Sequence, residues 1–292
     1  MPAPLNWLTC LQQLAVTEPA VLITITATRG SVPRTAETRM LVTANRQYDT
    51  IGGGHLEWKA IAHARLWLAE TTPASAPRTL ELALGPSLGQ CCGGAVSLLL
   101  ERTDCWSQAE RQQRLQTAIQ ELEKLPLLYL FGAGHVGCAL VNVLQNAPCR
   151  MIWVDERDHL FPAGLPASVQ TEATDSPEAV IAAARAGAYF LVMTHHHGLD
   201  LRLSEHILRR NDVAWFGLIG SDTKRARFEH RLREHGIDAE RLGSMVCPVG
   251  LTSIAGKEPA VIAVSIAAQL LQMWSHAPAL TTGTSCAVNE TE

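Results

Sequence analysis

Several features that mark other classes of protein are missing from this sequence of 292 residues. The opening segment, MPAPLNWLTC, has no basic region followed by an apolar core, so it does not resemble a secretory signal. The most apolar stretch, residues 260–274, is too short to span a bilayer and is interrupted by Ser265 and Gln269. It therefore predicts a buried helix, and no membrane attachment is expected. We also find no internal repeat.

Strong net charge is also missing, since the formal value is only -4 at pH 7. Such a balance gives no electrostatic reason to expect nucleic acid or an anionic membrane as a partner. The eight cysteines form no paired CxxC framework, which favours reduced thiols and a cytoplasmic location over a disulfide scaffold. A hydrophobic fraction of 47% with 18% charged residues is typical of a globular chain, here long enough for two domains.

Strand and helix patterns predict a small α+β domain over residues 1–106. VLITITATRG is a β-branched run, and MLVTANRQYDTIGGG is typical of a hairpin that leads into three glycines. Apolar residues then recur at helical spacing from Leu56 to Leu68. RTLELAL and AVSLLLER predict two further strands.

The charged segment 107–125 predicts a helix that links this domain to a second one over residues 126–275. In the second domain helical segments alternate with the strand-like stretches MIWVDE, AYFLVMTHHH and VAWFGLIGS. This alternation favours right-handed βαβ units and a Rossmann-like, doubly wound parallel sheet. The polar residues 276–292 predict a flexible tail.

A glycine motif opens the second domain. FGAGHVG places Gly132, Gly134 and Gly137 in a GxGxxG pattern between an apolar strand and a helix. Glycines at these positions let the backbone approach a pyrophosphate, which the helix N-terminus then stabilises. Asp155, at the end of the next predicted strand, stands where a ribose hydroxyl would be bound. The motif predicts a Rossmann-type fold; a bound nucleotide is a separate expectation, because folds are often retained without their ligands.

Three consecutive histidines, His195 to His197, end a predicted strand at the carboxyl edge of that sheet, where ligands of open α/β sheets bind. They could supply one or two metal ligands or an acid/base pair. All three cannot face one ion, because adjacent side chains diverge. The alternative is that they are loop residues that cap the next helix.

A second glycine cluster lies at the start of a predicted helix. It consists of Gly52, Gly53 and Gly54. Amides at a helix start can bind an anion, and the first turn of this helix carries His55 and Glu57. The preceding loop, TRGSVPRTAETR, adds three cations that could bind a phosphate: Arg29, Arg34 and Arg39. The alternative is a tight turn flanked by solvated arginines.

The stretch GPSLGQCCGG presents two adjacent thiols, Cys91 and Cys92, among glycines. A direct disulfide between them would be strained. The glycines remove bulk from both sides, so a thiol there would be accessible as a soft metal ligand or a sulfur nucleophile. Burial as a small hydrophobic residue is the alternative for any free cysteine.

Several motifs in one order together resemble a known family. They are RGSVPRTAETRMLV, TIGGGHLEWKAI, GPSLGQCCGG, LFGAGHVG, VMTHHHGLDL, GLIGSDTKRARF and CPVGLTSIAGKEPAVIAV. They cover most of residues 5–275 and resemble the xanthine dehydrogenase accessory proteins of the XdhC type, which are related to the CoxI-like proteins.

The resemblance implies a chaperone that binds the molybdenum cofactor, supports its sulfuration by a cysteine desulfurase and inserts it into the molybdenum-binding subunit of xanthine dehydrogenase. It implies that Cys91 or Cys92 faces the metal, with Cys92 favoured because relatives keep a cysteine directly before Gly-Gly. Relatives have Thr-His-Ser-His where this chain has Thr194 to His197, so His195 and His197 are the positions carried over. A homo-oligomer, such as a dimer that shields the cofactor, is a further expectation.

Two other functions are compatible with these residues. One is a nucleotide-dependent oxidoreductase or transferase that uses Asp155 and the histidines. The other is a redox or metal sensor built on the cysteine pair. A chaperone without turnover of its own is the leading hypothesis.

Overall fold

The computed structural model describes residues 6–70, 76–84 and 93–276. The chain divides into two compact units. The N-terminal unit comprises Met1–Glu121 with Ala163–Ala167, and the C-terminal unit comprises Leu122–Pro162 with Ser168–Glu292. Within the described ranges, no helix has the length and apolar character needed to cross a membrane.

The N-terminal unit is built on an antiparallel five-stranded sheet in the order β3-β2-β1-β5-β4. The strands are β1 (Val21–Arg29), β2 (Arg39–Val42), β3 (Gln47–Tyr48), β4 (Arg78–Ala83) and β5 (Ala95–Arg102). Its helices are α1 (Trp7–Gln13), α2 (Gly54–Leu68) and α3 (Gln108–Glu123). The predicted hairpin is confirmed, since Leu41 pairs with Tyr48 across β2 and β3.

One face of this sheet forms the core with α2. Alternate residues of β1, Val21, Ile23 and Ile25, are fully buried in the same cluster as Leu56 and Trp67 of α2. Leu22, which lies between two of them in sequence, is buried with Cys10 and Leu11 of α1, so both faces of this part of β1 are covered. The helical spacing recognised in the sequence therefore marks the buried side of α2.

Helix α3, predicted as a link, is held to the N-terminal unit through Arg111 and Arg114. The Arg111 guanidinium is buried and donates to the carbonyls of Leu11 and Leu14 at 2.6 and 2.7 Å. Arg114 donates to Glu101 of β5 at 2.7 Å. The division between the compact units falls after Glu121, within the last turn of α3.

The C-terminal unit is built on a parallel six-stranded sheet in the order β11-β10-β9-β6-β7-β8. The strands are β6 (Leu127–Phe131), β7 (Arg150–Asp155), β8 (Val169–Ala173), β9 (Tyr189–Val192), β10 (Trp215–Leu218) and β11 (Met245–Val246). The helices are α4 (His135–Leu144), α5 (Pro177–Ala183), α6 (His197–Arg209), α7 (Asp222–Glu234), α8 (Ala239–Gly243) and α9 (Pro259–His276).

The strand order confirms the predicted Rossmann-like sheet. The chain starts at the central strand β6, builds outward through β7 and β8, and then returns to the other side of β6 with β9. This is the 3-2-1-4-5-6 order of dinucleotide-binding folds, with the reversal of direction between β6 and β9. Ligands of such sheets bind outside the carboxyl ends of the strands at that reversal, so a candidate site is expected between the ends of β6 and β9.

Candidate functional site

The glycine loop lies at the point where the strand order reverses. Gly132 has a φ of +116°, and a Cβ built on it would collide with the carbonyl oxygen of Met193, just after β9. A Cβ on Gly137 would collide in turn with the carbonyl oxygen of Gly132. These two glycines are therefore required by the close approach of β6, β9 and α4.

These clashes predict different costs for two neighbouring substitutions. Gly132→Ala is expected to lower the free energy of unfolding by about 2 kcal/mol, because the loop must move away from Met193. Gly134→Ala is the matched control, since its φ of -76° suits any residue and its Cβ would meet nothing within 4 Å. Denaturant unfolding of both variants tests this, and equal stability of the two would contradict it.

Asp155, predicted to bind a ribose, is held by the protein itself. Its Oδ2 accepts from the Ala133 N–H at 2.7 Å, and the Arg157 guanidinium binds both carboxylate oxygens at 2.8 and 2.9 Å. Burial raises the pKa of Asp155, but these hydrogen bonds outweigh it, and the pKa lies below its ordinary value. Asp155 therefore stays charged and fixes the glycine loop to the end of β7.

The three histidines take different places. His196 is the N-cap of α6, and its Nδ1 accepts from the Leu199 N–H at 3.1 Å. Its interpretation as a helix cap is therefore the one that the structure supports. His195 lines a cleft, where its Nε2 lies 3.8 Å from Glu156. His197 is exposed and is the first residue of α6.

A buried ion pair behind the histidine segment was not predicted. Asp200 of α6 is only 1% exposed, and its carboxylate accepts from Lys224 Nζ of α7 at 2.6 Å. It also accepts from the N–H and the hydroxyl of Thr194, at 3.1 and 2.6 Å. Lys224 donates further to the carbonyl of Ile219 at 2.8 Å. The pair thus connects the segments that follow β9 and β10.

In the N-terminal unit, Glu57 changes the interpretation of the second glycine cluster. Its carboxylate accepts from the N–H groups of Ile51 and Gly53, both at 3.1 Å, and from the Thr50 hydroxyl. Gln47 donates to it as well, at 2.9 Å. The expectation of amides open to an external anion is therefore corrected at Gly53, because the protein's own carboxylate takes the anion's place at the start of α2.

The loop with the predicted arginines packs against two glycine segments. A Cβ on Gly52 would lie 2.5 Å from Pro33 Cγ, and one on Gly94 would lie 2.7 Å from the Arg29 carbonyl oxygen. Arg29 and Arg34 are exposed. Arg39 instead pairs with Glu121 at 2.6 Å and lies over the Trp7 ring.

In the second glycine cluster Gly54 is exposed. The residue that follows it, His55, is also exposed and contacts the Trp58 ring. Cys91 and Cys92 lie outside the described residues. Among the residues that the structure does describe, no group of three His, Cys, Asp or Glu side chains could hold a metal ion.

Cys149 is fully buried after α4, and burial raises the pKa of its thiol to about 12. The thiolate is the reactive form, so native Cys149 is expected not to react with N-ethylmaleimide at pH 8. Mass spectrometry of protein labelled before and after unfolding tests this. Labelling of native Cys149 as fast as in the unfolded chain would contradict it.

Comparisons with known proteins agree with this architecture. Residues 128–270 match the XdhC Rossmann domain, and residues 13–81 match the XdhC and CoxI family. The chain therefore belongs to the XdhC family of proteins, as its motifs predict.

Two individual proteins show how far the likeness extends. The chain is 28% identical over 264 residues to the protein YqeB of Escherichia coli strain K12, an alignment that covers 89% of this chain but 44% of YqeB. The chain thus spans less than half the length of this relative. A crystal structure of a xanthine dehydrogenase from Bacillus halodurans matches with a TM-score of 0.70 and 22% identity, over 94% of this chain and 97% of that one. This second match shows the fold.

Proposed function

We propose that the protein is a chaperone that binds the molybdenum cofactor, protects it while it is sulfurated, and delivers it to xanthine dehydrogenase. Family membership supports a role in the maturation of that enzyme. The protein's handling of the cofactor is inferred from the chemistry of the N-terminal unit.

The observation that carries the proposal is the packing of the arginine loop. Residues 29–34 contact the Gly52 turn through Pro33 and contact Gly94 through the backbone of Arg29 and Ser31. Gly93 and Gly94 are the residues that directly follow Cys91 and Cys92 in sequence. The exposed side chains of Arg29 and Arg34 therefore lie on a segment that packs against both the Gly52 turn and the glycines that follow the cysteine pair.

These residues suit a cargo that carries a phosphate. Arg29 and Arg34 would hold it by charge-assisted hydrogen bonds. Glu57 would keep the turn in shape, since the Ile51 and Gly53 amides already donate to it. A Cβ on Gly53 or on Gly93 would meet nothing within 4 Å, so both glycines leave room for a bulky molecule beside the loop.

Molybdenum is a soft partner for sulfur, and a thiolate at Cys92, or at Cys91, would suit it. The molybdenum centre supplies the redox chemistry of the client enzyme. The remaining partners follow from the same hypothesis: a cysteine desulfurase as the sulfur source, the molybdenum-binding subunit as the acceptor, and a homo-oligomer that shields the cargo.

Reconstitution of cofactor-free xanthine dehydrogenase tests the proposed function. Adding the chain together with cofactor, a cysteine desulfurase and cysteine is expected to raise the recovered activity well above that obtained with free cofactor. Arg29→Ala combined with Arg34→Ala should lose most of this gain, whereas Arg65→Ala, an exposed arginine of α2, should keep it. Equal recovery with and without the chain would contradict the proposal.

A further inference from the structure

The C-terminal unit contains a cleft that the proposed function does not use. It lies where β6, β7, β8 and β9 end. Apolar side chains form much of its lining: Phe131, Val154, Pro177, Leu199 and Leu203. Carboxylates lie along it as well: Asp155, Glu156 and Asp175. An apolar slot with a few polar groups is typical of sites for small organic ligands.

Gly134 points to the kind of ligand. Gly132 and Gly137 are explained by the close packing of the backbone around them, whereas Gly134 is explained neither by its φ of -76° nor by any neighbour within 4 Å of an added Cβ. It is the N-cap of α4 and, as a glycine, has no side chain of its own to cap that helix. A missing side chain next to uncapped helix amides leaves room for a phosphate group.

We propose that this cleft binds the adenosine diphosphate part of a nucleotide whose ribose carries no 2′-phosphate. The phosphates lie over Gly134 and the start of α4, and the base lies in the apolar slot. Asp175 follows β8 and lines the cleft, where it accepts a hydrogen bond from the exocyclic amine of adenine. Hypoxanthine has a carbonyl oxygen at the same ring position, and the carboxylate repels it. The chemistry of the rim therefore favours adenine over hypoxanthine.

The ribose hydroxyls bind Glu156 instead of Asp155. A carboxylate offers about four acceptor positions, and Asp155 already accepts from Ala133 N–H, Arg157 N–H and two guanidinium nitrogens of Arg157. A sugar could bind Asp155 only by displacing Arg157. The Glu156 side chain is 52% exposed and lines the same cleft, with His195 Nε2 at 3.8 Å.

The charge of the cleft excludes a 2′-phosphate. Three carboxylates line it. The arginine in its lining, Arg202, is paired with Glu178 at 3.1 Å, and the guanidinium of nearby Arg157 is held by both oxygens of Asp155. A dianionic phosphate beside Glu156 would meet like charge in a partly desolvated site. NAD⁺ and NADP⁺ differ only by this group, so they are matched probes.

Isothermal titration of the full chain with ADP, NAD⁺, NADP⁺ and IDP tests the proposal. Binding of ADP or NAD⁺ is expected, with NADP⁺ and IDP at least about tenfold weaker than NAD⁺ and ADP respectively. A preference for ADP over NAD⁺ would assign a mononucleotide, and the reverse a dinucleotide; either supports the site. No binding of any probe at millimolar concentration would overturn it, and so would equal affinity for NAD⁺ and NADP⁺.

Two variants locate the binding. Gly134→Val should raise the dissociation constant for ADP at least about tenfold. Gly243→Val, at an equally open position in α8, should leave it unchanged. Glu156→Gln should bring the affinities for NAD⁺ and NADP⁺ closer together, because it removes the charge that repels the 2′-phosphate. Unchanged affinity in Gly134→Val, or an unchanged ratio in Glu156→Gln, would overturn the assignment. These outcomes are independent of whether the protein binds a molybdenum cofactor.

Discussion

Replacing Lys224 by methionine is expected to lower the free energy of unfolding of the C-terminal unit by about 4 kcal/mol. The substitution removes the ammonium that lies 2.6 Å from Asp200. Among the described residues, the donors left to this carboxylate, which is 1% exposed, are the N–H and hydroxyl of Thr194. A buried charge without its counter-ion is among the most costly defects that one substitution can introduce.

A second substitution separates the charge from the packing of Lys224. In Lys224→Met with Asp200→Asn the buried charge is gone, and the Asn carbonyl can still accept from Thr194, so about half of the lost stability should return. Arg227→Met, at an exposed position of the same helix, should change stability by less than about 0.5 kcal/mol. Denaturant unfolding followed by circular dichroism measures all three. A Lys224→Met variant as stable as Arg227→Met would show that the pair contributes nothing.

Glu57→Ala is expected to destabilise the N-terminal unit by about 3 kcal/mol. The carboxylate is nearly buried and receives hydrogen bonds from Gln47, Thr50, Ile51 and Gly53, so its loss leaves several donors unpaired at once. The three glycines of the turn have positive φ values and supply little rigidity of their own.

Two comparisons make the Glu57 result specific. Glu57→Gln keeps one acceptor oxygen and should lose less than Glu57→Ala, whereas His63→Ala, on the exposed side of α2, should be nearly neutral. Hydrogen exchange of the Ile51 and Gly53 amides should accelerate in Glu57→Ala. If both amides kept their native protection, Glu57 would not be what holds the turn.

Periodicity predicted most of the fold because most elements have one apolar side. The β-branched run of β1 and the helical spacing of α2 both mark faces that pack together in the structure. Strands β8 and β11 were not predicted. β8 is at the edge of its sheet with only Val169 buried, and β11 has two residues, so neither carries a periodic apolar signal.

The site was predicted less completely because its key contacts are distant in sequence. GxGxxG with a following acid predicted that the glycine loop and Asp155 lie together, because parallel strands end at one edge, and the Ala133 N–H donates to Asp155. The partner of Asp155 was missed, although Arg157 is two residues away, because sequence does not show which way a side chain turns. Asp200 and Lys224 are 24 residues apart on different helices, and no local pattern connects them.

The two glycine clusters differ in whether a carboxylate of the protein itself occupies their amides, and the difference has a physical reason. At Gly53 an acidic residue four positions later folds back and occupies the amides. At Gly134 the residues that follow are His135, Val136, Gly137 and Cys138, none of which offers a carboxylate. This contrast is visible in the sequence once the capping role of Glu57 is known, and it separates a self-capped turn from one that can receive a phosphate.

The most direct test of the proposed function is anaerobic binding of purified molybdenum cofactor to the wild-type chain, Cys91→Ser and Cys92→Ser. Ultrafiltration followed by metal analysis would give the molybdenum retained per chain. We expect about one per wild-type chain, with a sharp loss in one cysteine variant and Cys92 as the expected ligand. Gly134→Val should retain the wild-type amount, because it alters only the C-terminal unit. No retention by any form would contradict the chaperone function.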